Sequence, residues 1–247
     1  MAAQDMDIPE QETQLQTLTD ITPTDYKVII GSNNQRVVFD DLNIPEDSCK
    51  IVKDILQAHP CRFMLTKSIS VPSFYLHQFW LTAKVNADAE SFLVTLDKQT
   101  HVVDLSVLRE VLLLPIPDTD YAPMITEDEV LDYITELGYD QSDVILTSLS
   151  SFNVKYLSQP WKTFFMIVVR SISGRKSGHE HPRLEHLQVL WGMISMQPVD
   201  FARSIMNDMF FSIQSEKART MIPFVRFTKL IVEHLLKNQP AYIKRLQ

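Results

Sequence analysis

From Pro160 to Lys237 the sequence repeats one pattern, an apolar segment of helical length followed by a short polar break. WKTFFMIVVRSI, residues 161–172, follows Pro160, whose fixed φ suits the first turn of a helix. It is apolar on nearly every side, so it is expected to be the central helix. Leu184 to Met196, Val199 to Ile213 and Phe224 to Lys237 come next, and Phe201, Ile205, Met209 and Phe210 recur at helical spacing. These rings and thioethers read as core, not as a cofactor box. Helices in series must bury their apolar stripes on one another. The predicted fold is therefore mainly α (α+β), a helical domain with small β-hairpins confined to the N-terminal half.

The first half is punctuated differently. YKVII (26–30) and RVVF (36–39) are β-rich runs separated by GSNNQ, and Gly and Asn tolerate positive φ, so a hairpin is predicted. Ile51, Val52, Ile55 and Leu56 then share a helical face behind Pro45 and the acidic start Glu46-Asp47. Pro72 opens a short aromatic helix within VPSFYLHQFW (71–80). Residues 92–96 and 101–103 form two strands turning through Asp97-Lys98-Gln99, and Asp104 or Ser106 caps a helix that Pro115 ends. Thr126 with Glu129 is a capping box, and Gly138 sits where that helix should stop.

Charge divides the chain. Residues 1–150 hold 9 basic and 25 acidic residues, a balance of −16, and residues 151–247 hold 14 and 6, a balance of +8. Such polarity guides partners or self-association. Residues 1–24 carry five acids and no base and are expected to be a disordered tail. The remainder, 25–247, is expected to be a single globular domain, an acidic α+β half (25–150) joined to a basic helical half (151–247). The longest apolar run, Phe164 to Val169, is far too short to cross a bilayer, so no membrane partner is expected. The acidic start lacks the features of a secretory signal, and an intracellular protein, cytoplasmic or nuclear, is expected. Two cysteines, Cys49 and Cys61, fit a reducing compartment and read as small core or near-surface residues.

The chemically richest stretch is SISGRKSGHEHPRLEH, Ser171 to His186. A phosphate loop needs G-x-x-x-x-G-K-[ST] after a strand; here the order is Gly174-Arg175-Lys176-Ser177 after a helix. His179, His181 and His186 lack the spacing that holds a metal on one helix face, and the thiols are over a hundred residues away. No nucleophile elbow, Cys-His signature or strand-borne carboxylate cluster is present in the sequence. The expected reading is a basic interhelical loop, with the three histidines assigned to solvent and capping and no cofactor or metal required.

Several blocks together resemble a known family. QPWKTFFMIVVRSISGRKSGHEHPRLEHLQVLWGM, VDFARSIMNDMFF, PFVRFTKLIVEHLL, HPCRFMLTKSISVPSFYLHQFW and VVDLSVLREVLLLP follow in family order over about residues 50–240. They are similar to the putative plant transposon protein domain, abundant in daisy-family genomes, and more distantly to the plant mobile domain. The resemblance implies a mainly helical domain without catalytic residues, in retrotransposon-like reading frames. It makes Trp80, Pro160, Trp161, Trp191, Arg226 and Phe227 family-block core positions; the basic charge of the interhelical loop makes Arg175, Lys176, Ser177, Gly178 and His179 the candidate interaction loop. It also implies that the chain, which ends at KRLQ soon after its last predicted helix, is a piece of a longer product.

Three functions follow as expectations. The first is a non-enzymatic interaction or assembly module of a plant transposable element, self-associating or binding other element-encoded proteins. The alternative is a nucleic-acid-binding domain using Arg170, Arg175, Lys176, Arg183, Arg203, Arg226, Lys229, Lys244 and Arg245 as phosphate contacts, although the overall acidity opposes it. An inactive enzyme remnant is a third. The stripe Trp161, Phe165 and Val169 is expected to be buried, with Trp191 as its partner.

Overall fold

The structure, a computed structural model, describes residues 29–40, 42, 50–143, 145–215 and 221–246. The expected tail, Cys49 and the helix start at Glu46-Asp47 lie outside these residues. Among those described, helices dominate: α1 (Lys50–Ala58), α2 (Arg62–Thr66), α3 (Ser73–Thr82), α4 (Leu105–Leu112), α5 (Glu127–Glu136), α6 (Trp161–Ile172), α7 (Leu184–Ile194), α8 (Phe201–Gln214), α9 (Val225–Leu236) and α10 (Pro240–Leu246). Strands β2 (Lys84–Val85), β3 (Phe92–Leu96) and β4 (Gln99–Val103) form an antiparallel sheet in that order, and α3 packs on β3. The protein is thus mainly α with a small sheet.

Local signals place most of these elements. Asp104 accepts from the Val107 N–H and starts α4. Thr126 and Glu129 form the reciprocal capping box of α5, and Gly138, at φ +83°, follows where the helix stops. The Phe92–Val103 hairpin turns at Asp97 and Lys98, both with positive φ. Val52 and Leu56 face inward from α1, but Ile51 is 53% exposed, standing off a contact face centred on those two residues.

The predicted hairpin of the two N-terminal runs does not form. Strand β1 (Ile29–Ile30) instead pairs in parallel with β5 (Met221–Ile222), and residues 35–38 are not a strand. Their amides are taken by helix ends: Gln35 N–H donates to the Arg170 carbonyl and Val37 N–H to the Leu65 carbonyl, each at 2.9 Å. Buried Asn33 and Asn34 serve α9, accepting from Val225 N–H at 3.2 Å and Phe227 N–H at 2.8 Å. The first turn of a helix has amides without partners, and Phe224 before α9 provides no side-chain cap. The Asn pair fills that need from the far end of the chain. Residues 31–37 are a capping strap, which is why β propensity did not decide them.

The core is one cluster reaching from Val37 to Tyr242. Helices α8 and α9 are its most enclosed parts; α8 packs on α7 and α4, and α9 on α3 and α4. Helix α6 is not central. It buries Phe164, Phe165, Val168, Val169 and Ile172 and leaves Lys162, Met166, Ile167 and Arg170 on a partly open side beside the strap. Trp161 and Trp191 are only half-buried, and Trp161 meets Phe164 and not Trp191. Cys61 is core filling; burial pushes its thiol up to about 12, so it stays protonated. The last helix expected from periodicity is not the last one. Helix α10 follows it, fastened by Arg245 on Asp97 at 2.7 Å and by Tyr242 on Glu233.

Candidate functional site

The loop from Ser173 to Arg183 joins α6 to α7 and is closed on itself. Gly174 is buried against Phe224, whose ring a Cβ at this position would overlap. Arg175 turns back and donates to the His181 carbonyl at 2.8 Å. Gly178 takes φ +73°, which lets the chain double back over Arg175. His179 Nε2 lies 3.2 Å from the Arg175 carbonyl, and burial first of all draws its pKa below the ordinary histidine value. His181 Nδ1 sits 2.8 Å from the Phe152 carbonyl, and Val154 N–H donates to the Glu180 carbonyl at 2.9 Å. Of the five interaction-loop residues, only Lys176 and Ser177 stand exposed.

His186 departs from its expected place in solvent. It is 2% exposed, with Nε2 2.8 Å from Asp208, itself buried on α8. A His–Asp pair invites comparison with acid–base machinery, but the second ring nitrogen is also occupied. Arg183 N–H donates to His186 Nδ1 at 3.2 Å, so Nε2–H is the tautomer that donates to Asp208. Neither nitrogen is left for a substrate. Arg183 binds the other Asp208 oxygen and stacks on Phe211, its guanidinium carbon 3.7 Å from the ring centroid. Burial alone would raise the Asp208 carboxyl; the hydrogen bond from His186 and the charge and hydrogen bond of Arg183 outweigh it and hold the pKa below its usual range.

That depression has a pH consequence. A carboxylate with a lowered native pKa stabilises the fold above its unfolded value, near 4, and the stabilisation is lost as pH falls through the native value. Asp208→Asn is therefore expected to cost about 2 kcal/mol at neutral pH. It is also expected to flatten the acid limb of the stability curve below about pH 4. Urea denaturation at stepped pH measures both; parallel wild-type and variant curves would show that Asp208 is not the linked group.

The family-block positions separate into two places. Trp80, Arg226 and Phe227 converge in the core: Trp80 Nε1 donates to Thr228 Oγ1 at 2.9 Å, and Arg226 lies over the Phe227 ring at 4.6 Å. Pro160, Trp161 and Trp191 are half-buried around α6 and α7. Arg226 is 4% exposed and meets no carboxylate among the described residues; its guanidinium donates to the carbonyls of Asn34, Met64, Lys67 and Ser171 at 2.8–3.1 Å. Those of Met64, Lys67 and Ser171 belong to the C-terminal ends of α2 and α6, where carbonyls lack partners and the helix dipole is negative. Burial draws the Arg226 pKa down to about 9, which leaves it charged at neutral pH.

An open feature lies on the other side of the strap. A groove of about 480 Å³ lies between residues 35–38 with Leu42 and α6, and its lining combines the cations Arg36, Lys162 and Arg170 with the apolar Val38, Leu42 and Met166. The sequence offered no sign of it, because it needs the strap to lie on the helix.

Among the described residues no group of three or more His, Cys, Asp or Glu could hold a metal ion, and no helix is long and apolar enough to cross a membrane. No family model, no curated protein and no solved structure matches the chain.

Proposed function

We propose that the chain is a non-catalytic interaction and assembly module of a plant transposable element, acting inside the cell. The ordered sequence blocks from HPCRF to RFTKLI support the setting. One structural observation supports assembly over nucleic-acid binding. Of the nine basic residues suited by type to phosphate contacts, at least five are engaged within the fold: Arg175 with the His181 carbonyl, Arg183 with Asp208, Arg203 with Glu90, Arg226 with carbonyls and Arg245 with Asp97. Arginines held this way have fewer N–H groups to offer a phosphate backbone, whose binding strength grows with the number of phosphates neutralised. The net charge of −8 adds repulsion toward a polyanion.

Sedimentation of the full chain at low and high salt tests this, with a short DNA or RNA duplex in a parallel run. The expected result is salt-sensitive association with no shift onto the duplex. A monomer at every salt that sediments with the duplex would put nucleic-acid binding in its place.

A further inference from the structure

The groove beside α6 has a counterpart on the same molecule. On α5, Asp128, Asp132 and Glu136 are exposed at i, i+4 and i+8, a single acidic stripe. On α6, Lys162, Met166 and Arg170 repeat that spacing, with Arg36 also lining the groove. Eight residues of helix rise about 12 Å, so the terminal charges of the two stripes are equally far apart. Among the described residues none of these charges forms an ion pair, within its own stripe or with the other. Like charges one turn apart destabilise a helix, so the acidic stripe gains from a cationic cover.

We infer that the groove receives α5 of a second copy of the chain, the acidic stripe lying against Lys162, Arg170 and Arg36. This rests on the assembly reading above and relocates its basic surface, since the interhelical loop holds Arg175 inward. Opposite charge alone seldom makes a stable contact; apolar anchors are needed as well. One is in place. Tyr133 of α5 is hydrogen-bonded to Ser195, and the residue after Ser195, Met196, is 61% exposed. The apolar lining of Val38, Leu42 and Met166 suits that thioether. The lining carries no aromatic ring on which a base would stack, and this favours a protein occupant over a single-stranded nucleic acid. Stripe and groove are different surfaces, so the contact is head-to-tail and propagates into rings or open chains.

The test is charge exchange in the full chain, read by sedimentation velocity. Lys162→Glu with Arg170→Glu makes the groove acidic; Asp132→Lys with Glu136→Lys makes the stripe basic and spares the helix N-terminus, where acids stabilise. All four positions are exposed or half-buried, and circular dichroism and melting confirm that each variant folds. Wild type is expected to associate at low salt and dissociate as salt rises. Each double variant alone is expected to be monomeric, and an equal mixture of the two is expected to associate again, because every groove then finds a stripe of opposite charge. The conservative pair Lys162→Arg and Arg170→Lys should behave as wild type. If wild type associates and the reversed variants associate equally well, this docking is wrong while assembly stands. A monomeric wild type overturns both. Capture of a duplex that is lost in the groove variant would assign the groove to nucleic acid and also overturn the inference.

Discussion

Arg226→Ala is expected to remove on the order of 5 kcal/mol or more, enough to unfold much of the population of a domain stable by about 5–15 kcal/mol. The estimate starts from the four carbonyls that the guanidinium satisfies, those of Asn34, Met64, Lys67 and Ser171. Each buried acceptor left without a donor costs about 1–3 kcal/mol, and three would be, since the Ser171 carbonyl also accepts from the Asn34 amide. The cation is tolerated without a carboxylate among the described residues because it sits between the C-terminal ends of α2 and α6, each a partial negative charge. It is a cap for two helices at once, carried by the first turn of a third. Arg226→Lys keeps the charge but not the planar fork that reaches four acceptors, so an intermediate loss is expected. Guanidinium denaturation midpoints measure the series. Equal stability of the Ala variant and wild type would mean that water fills the site and satisfies the carbonyls, which would sink this account of Arg226.

What could be read from the sequence depended on how far each interaction reaches along the chain. Asp104 to Val107 and Thr126 to Glu129 are caps spanning three residues, and both are visible as local patterns. The bonds from Asn34 to Phe227 and from Arg226 to Met64 span 193 and 162 positions, and no local pattern announces them. GSNNQ therefore looked like a turn, because Gly and Asn suit turns, when its asparagines cap a distant helix. The same limit applies to the loop. Its residue order argued against a phosphate loop, but the direction of Arg175 depends on the His181 carbonyl. Asp208 did leave a trace, as a carboxylate within the apolar run FARSIMNDMFF, where an acid must have a buried partner. Helix α10 left a weaker one, because its anchors Tyr242 and Arg245 act through Glu233 and Asp97 outside it.

The tryptophans show the consequence most sharply, and they give the second large effect. By composition alone Trp161 and Trp80 are equivalent, and the apolar surroundings of Trp161 favoured it as the core residue. The fold reverses this. Trp80 is 2% exposed, stacks at 6.2 Å on Phe224, touches Phe79 at 5.5 Å and donates its indole N–H to Thr228 at 2.9 Å. Phe224 in turn rests against Gly174, so the ring stack ties α3 to the start of α9 and to the interhelical loop. Trp80→Ala leaves a cavity that these rings cannot close, and a loss of about 3–5 kcal/mol is expected. Trp80→Phe keeps most of the volume but strands the Thr228 hydroxyl, so a smaller loss of roughly 1–2 kcal/mol should follow. Trp161 opens α6 half-buried, with Phe164 as its ring neighbour, and solvent already reaches its site. For Trp161→Ala about 1–2 kcal/mol is expected, from the apolar area that remains covered. Denaturation of the three variants, followed by circular dichroism so that loss of a fluorophore does not distort the signal, ranks them directly. A larger loss at Trp161 than at Trp80 would mean that α6, and not the stack around Phe224, organises the core.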